Sequence, residues 1–246
     1  AVGRLDERAF RERAAAVAQE LAGDLRDPAL LARHKSDALA GLEQIGPLAA
    51  GVTPTLVAVL HDHDRAEDRN SRVAYFCAVT RAMAGVAPQD PAVIRALAAA
   101  LQREPRGGGT CHRCACALEA LAVAGPAAKE IAGPVLERYA REPSQVGLNR
   151  LEQAIDATGG AATMAPSLLA RARSQGVSID DRAASLRTLA KSHDQLSPAE
   201  KDAVRVAAEG FLFDKHVEIR VAAAELLGLA GPVALVLGNE ARGLSP

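Results

Sequence analysis

The chain has no tryptophan, two tyrosines and four phenylalanines, and its 29 lysines and arginines are balanced by 30 aspartates and glutamates, for a formal net charge of −1. Proteins that grip nucleic acid usually show a basic stripe or an aromatic stacking platform. Neither is provided by this composition, so nucleic acid is disfavoured as a partner. Uninterrupted apolar runs are short of the roughly 18–20 residues that a membrane-crossing helix needs, which predicts no membrane span. Four cysteines, Cys77, Cys111, Cys114 and Cys116, are too few for a disulfide scaffold in 246 residues. That scarcity predicts a reducing compartment, taken as the cytoplasm. No charged-then-apolar leader follows Ala1, which reads as a processed or trimmed chain whose targeting signal is not visible.

What is present is 49% hydrophobic residues, enough to bury the core of one extended domain or two small ones. These residues are arranged in repeats. In Ile219-Arg220-Val221-Ala222-Ala223-Ala224-Glu225-Leu226-Leu227-Gly228-Leu229-Ala230 the apolar positions follow the i, i+3, i+4, i+7 spacing of a helix with one buried face, and Gly231-Pro232 is expected to stop it. The same phrase recurs from Cys116 to Gly125-Pro126 and, more loosely, from Asp37 to Gly46-Pro47. Weaker copies over residues 71–85, 147–160 and 181–193 bring the spacing to roughly 33–40 residues, the period of a helix pair. Companion helices are expected over 55–60, 91–103, 127–141, 165–174 and 198–213, several with proline in the first turn, where a missing backbone donor costs nothing. Alanine is abundant and strand-type alternation is absent, so neighbouring pairs must stack to bury their faces. The expected fold is all-α, an α-α superhelix (α-solenoid) of about six helix pairs over residues 1–232, with a non-repeat tail over 233–246.

The phrase Ile219-Arg220-x-Ala222-Ala223-Ala224-x-Leu226-Leu227-Gly228-x-x-Gly231 resembles the second helix of a HEAT repeat, in the bacterial form related to phycobilin-lyase repeats, and the resemblance extends over most of residues 30–232. It implies a right-handed superhelix whose second helices line the concave face. It implies no single activity, since that fold hosts scaffolds, lyases and some DNA-repair enzymes. Second helices of this kind often begin with Val-Arg or a similar pair. Aligning the six copies puts Lys35, Arg72, Cys114, Asn149, Arg182 and Arg220 at equivalent positions, a basic ladder broken in its middle. Two roles fit such a ladder: bonds to aspartates or carbonyls of the next repeat that hold the stack together, or a strip on which an acidic partner docks.

Two polar patches interrupt the alanine-rich background. His61-Asp62-His63-Asp64 offers imidazole and carboxylate donors of the kind transition metals accept. Gly107-Gly108-Gly109-Thr110-Cys111-His112-Arg113-Cys114-Ala115-Cys116 puts Cys111 and Cys114 at Cys-x-x-Cys spacing on a helix start, where unpaired amides lower a thiol pKa. Stacked repeats place matching loops side by side, so His61, His63, Cys111 and Cys114 form a candidate zinc or dithiol site. No second Cys-x-x-Cys cluster exists to complete a standard zinc motif, and Cys116, which aligns with Ala222, reads as a packing residue. The three glycines are a loop and no phosphate cradle, because neither a preceding strand nor Gly-Lys-Ser/Thr is present. No Gly-x-Ser-x-Gly or His-Glu-x-x-His occurs.

The tail departs from the pattern. Gly238-Asn239-Glu240-x-x-Gly243-Leu244-Ser245 resembles the S-adenosylmethionine-binding loop of the knotted RNA ribose methyltransferases, without the rest of that α/β domain. The resemblance implies a fusion partner at most, since one loop cannot form a pocket. The expected function is a non-catalytic scaffold that binds a protein or peptide, acidic in character, on a concave face through Lys35, Arg72, Asn149, Arg182 and Arg220. It assigns no catalytic or cofactor-binding residue. The alternatives are the metal or thiol site, and a HEAT module of a lyase-like or methyltransferase enzyme.

Overall fold

The computed structural model describes residues 6–62, 69–103, 112–141 and 148–229. Those residues form twelve α-helices joined by turns and short 3-10 segments, and no strand occurs among them. The helices are α1 (Glu7–Arg26), α2 (Ala32–Ile45), α3 (Thr53–Asp62), α4 (Arg69–Val86), α5 (Pro91–Arg103), α6 (His112–Ala124), α7 (Lys129–Arg141), α8 (Leu148–Thr158), α9 (Ala161–Arg173), α10 (Ile179–Lys191), α11 (Pro198–Phe211) and α12 (Val217–Leu226).

Local chemistry explains where these helices start and stop. Pro91 opens α5, and Asp90 Oδ1 accepts from the Ala92 amide at 2.7 Å. Ser197 and Glu200 form a reciprocal capping box ahead of α11, with Pro198 in the first turn. Among the described residues four glycines carry positive φ: Gly46 after α2, Gly125 after α6, Gly159 after α8 and Gly228 after α12. At two of these ends the bond pattern is the paired one that closes a helix on a left-handed residue. Gly160 N–H reaches Ile155 O while Gly159 N–H reaches Asp156 O, and Leu229 and Gly228 repeat this on Ala224 and Glu225. α12 therefore stops before Gly228 and not at the expected Gly231-Pro232, because the left-handed residue already satisfies its end.

The chain divides into two units, Ala1–Ala132 and Gly133–Pro246, with α7 crossing the division. In the first unit α2, α4 and α6 pack side by side in chain order, α3 packs on α5, and α3–α4 and α5–α6 contacts join the two layers. The expected repeats begin near residue 30, and the structure adds α1, which packs on α2 and α3. In the second unit α8, α10 and α12 form one layer and α9 and α11 the other, joined through α9–α10 and α11–α12. Small residues make the layers close: Ala82, Ala117, Ala222 and Ala223 are fully buried. A Cβ on Gly85 of α4 would lie 3.2 Å from the Glu43 carbonyl oxygen of α2.

α9 begins at Ala161, ahead of the expected start at 165, so that Pro166 lies inside it, and α7 also carries a proline inside, Pro134. Among the described residues one stretch, Ala32–Asp62, is long and apolar enough to cross a membrane by length and composition. It is no single rod. Gly46, at φ +63°, and the 3-10 turn Gly46–Val52 divide it into α2 and α3. Its Leu39, Leu42, Leu56 and Leu60 are buried in the core of the first unit.

Candidate functional site

The layer α2, α4, α6 carries a groove of about 240 Å3 that crosses all three helices. Its floor is small, being Ala84 and Gly85 of α4 and Ala120 of α6, and its walls are Glu43, Arg81, Glu119, Cys116 and Val123. Val123 is 59% exposed, an apolar side chain left standing at the rim. Arg81 and Glu43 are exposed as well. The groove exists because residues flooring it lack bulk: neighbouring helices approach closely along alanine and glycine, and the longer side chains stand around the depression they leave.

Beneath one wall Cys77 of α4 and Cys116 of α6 are joined in a disulfide, with Cα atoms 5.3 Å apart. Cys116 was expected as an apolar packing residue; it is a half-buried cross-link between successive helices. The alignment that pairs Arg72 with Cys114 places Cys77 opposite Glu119. The actual pairing is diagonal, displaced by nearly one helical turn, and an in-register comparison does not find it. Cys114 is buried and is also disulfide-bonded. Arg113, in the first turn of α6, lies over the Phe76 ring at 5.4 Å.

The structure separates the ladder residues. Lys35, Arg72, Arg182 and Arg220 are each the fourth residue of their helix, so the register of the alignment holds for these four. Arg182 and Arg220, however, are 4% and 8% exposed. Arg182 Nε donates to the Ala172 carbonyl at 2.7 Å and its Nη2 to Asp214 Oδ2 at 2.8 Å. Arg220 Nη1 donates to the Asp214 carbonyl at 2.8 Å. These two side chains bind the chain to itself, which is the first of the two roles open to the ladder. Lys35 is half-buried at the start of α2. The side chains of Arg72 and Asn149 lie outside the described residues.

Of the candidate metal ligands, His61 is at the end of α3, where its Nδ1 is 3.0 Å from Arg103 Nη1 at the end of α5. The ends of α3 and α5 are thus adjacent. Imidazole facing a guanidinium and Cys114 in a disulfide both have partners other than a metal. His63 and Cys111 lie outside the described residues, and among the described residues no group of three or more His, Cys, Asp or Glu side chains gathers to hold an ion. The tail over 233–246 also lies outside them.

Sequence reasoning passed over a pair of acids on α8. Glu152 is buried, and its Oε1 has no hydrogen-bond partner. Burial pushes its carboxyl above the ordinary range, against the opposing pull of the Thr188 hydroxyl and the Lys191 ammonium. Asp156, one turn on, is raised for the same reason, opposed by Lys191 and by Ser192, whose hydroxyl donates to Oδ1 at 3.3 Å. Their one-turn spacing on a helix is visible in the sequence, but their burial against α10 is not.

No protein-family model matches the chain, and a search of curated proteins finds no match.

Proposed function

We propose that this chain is a non-catalytic HEAT-like helical module that binds a protein or peptide partner on the face formed by α2, α4 and α6. The groove crossing these three successive second helices carries the reading: it has a floor of small residues, an exposed Val123 and an exposed Arg81 across from Glu43. Such a depression takes a short apolar side chain from a partner segment, while its charges select the flanking residues, a cation for Glu43 and an anion for Arg81. The two-layer stacking within each unit supports the HEAT-like reading. The acidic partner expected from the ladder loses two of its contacts, because Arg182 and Arg220 are occupied within the fold. Lys35 and Arg72, at the starts of α2 and α4, belong to the same unit as the groove.

The experiment is site-specific photo-crosslinking in the source cell. A photoreactive residue at Val123 is expected to capture a discrete partner, and one at Val206 of α11, which is 60% exposed in the second unit, is expected not to. Val123→Glu should abolish capture through a second photoreactive residue placed at Ala40, exposed one turn before Glu43 on α2, with the melting temperature unchanged. Equal capture at Val123 and Val206 would remove the reading.

A further inference from the structure

Helix α1 carries two apolar stripes, and its own unit covers one of them. Ala18, Ala22 and Leu25 are buried. The second stripe, Phe10, Ala14, Val17 and Leu21, recurs at the i, i+4, i+7, i+11 spacing of a seam along which another helix packs. It lies open, with Phe10 55% and Val17 41% exposed. Leu21 rests on α2 at Gly41, where an added Cβ would fall 2.9 Å from its Cδ1. Ile45 and Leu48 of α2 continue the seam into a two-helix face around a depression of about 470 Å3. A single exposed apolar side chain needs no explanation, but a continuous row along one helix face marks a contact surface.

The charges beside the row identify what covers it. Glu7 pairs with Arg11, and Arg8 with Glu12, within α1. Arg13 and Glu20, one heptad apart on the flank of the row, are exposed and have no ion-pair partner among the described residues. We infer that this face binds a second copy of the chain, with α1 antiparallel to α1 about a two-fold axis passing between Ala15 and Ala16. Phe10 and Leu21 are equally distant from that axis, as are Ala14 and Val17, so Phe10 of one copy meets Leu21 of the other and Ala14 meets Val17. In the same arrangement Arg13 falls beside Glu20 of the second copy, and Glu20 beside its Arg13, the flank pairing that sets orientation in paired helices. Parallel helices would set Arg13 beside Ala18 and Glu20 beside Leu25, with no ion pair. The seam is one 20-residue helix long, about 30 Å, which is short of a standard interface, so the dimer exchanges with monomer at micromolar concentration. The inference is separate from the partner-binding reading, whose groove lies across α4 and α6.

The test is sedimentation equilibrium of the full chain across the micromolar range. A monomer–dimer equilibrium is expected, and Val17→Glu, at an exposed position, should leave only monomer with the melting temperature unchanged. Arg13→Glu and Glu20→Arg should each raise the dimer dissociation constant about tenfold at low salt, since each turns two attractive exposed pairs into repulsive ones. Mixing these two variants should give a heterodimer close to the parent dimer in affinity. The Arg13→Glu/Glu20→Arg double variant should again dimerise with itself, because it too restores opposite charges across the seam. Molar salt should flatten these differences. A chain that stays monomeric, because another protein's helix or another stretch of this chain fills the seam, would overturn the inference. So would a dimer that tolerates Val17→Glu, or charge reversals that fail to complement one another.

Discussion

Arg182 and Asp214 meet at 2.8 Å with side chains only 5% and 15% exposed, and Asp214 then offers its backbone carbonyl to Arg220. One turn residue before α12 thus receives the fourth residue of α10 and the fourth residue of α12. Arg182 also reaches back to the penultimate carbonyl of α9, where a cation complements the exposed carbonyl end of a helix. A single arginine ties together the helix before its own and the turn between α11 and α12.

Arg182→Ala leaves the half-buried Asp214 without its guanidinium and removes the bond on Ala172. Stability is expected to fall by about 3 kcal/mol, as when one partner of a buried pair is deleted. Arg205→Ala breaks exposed pairs with Asp202 and Glu209 and should cost no more than about 0.5 kcal/mol. Urea denaturation of both variants checks the contrast. Equal losses would show that the second unit is not held by this pair.

The acid limb of stability should carry the signature of Asp214. Burial alone would raise its carboxyl, but the His216 amide at 3.0 Å and the Arg182 guanidinium outweigh it and hold the group below the ordinary range. A depressed carboxyl stabilises the fold above its unfolded-state value, and that contribution disappears as pH falls through the folded-state value. Asp214→Asn is therefore expected to lose stability at neutral pH and to converge on the parent in acid. Melting curves across pH test this, and a constant difference at all pH values would refute it.

Glu152 should behave in the opposite way. Its carboxyl is raised, so the folded state binds the proton more tightly than the unfolded chain. Its unfavourable contribution grows as pH rises from the unfolded-state value through the folded one. Glu152→Gln removes the charge and should raise the melting temperature at neutral pH, with the gain vanishing below the ordinary carboxylate range. A gain that is the same in acid would point to packing instead.

Glycine substitutions should divide by backbone conformation. Gly46 sits at φ +63° and ψ −138°, a backbone state almost confined to glycine, and Gly46→Ala is expected to cost about 1–3 kcal/mol. Gly23 lies within α1 with open space around its would-be Cβ. Gly23→Ala should stabilise by up to about 1 kcal/mol through helix propensity. Chemical denaturation of the two variants decides, and a loss at Gly23 would contradict the helix placed there.

The helices were legible because each is written by local rules. Apolar spacing, the Asp90-Pro91 and Ser197-Pro198 starts and the Gly-Pro endings place ten of the elements within a few residues. α1 was passed over because its Glu7–Arg26 sequence lacks the recurrent phrase, and its membership rests on packing against α2 and α3. The register of Lys35, Arg72, Arg182 and Arg220 was legible too, but the direction their side chains take was not. Asp214 lies outside the repeated phrase, and only the fold brings it to Arg182 and Arg220. The groove had no linear signal at all, since Glu43, Arg81 and Val123 come from three helices and share only a surface.

The left-handed glycines have an evolutionary corollary. Gly159 and Gly228 close their helices through bonds to carbonyls of the same helix, independent of whatever comes next. A segment running from just after Gly159 through Gly228 therefore begins and ends in one backbone state. A second copy of that segment joined after Gly228 would splice like onto like, with no new turn to invent.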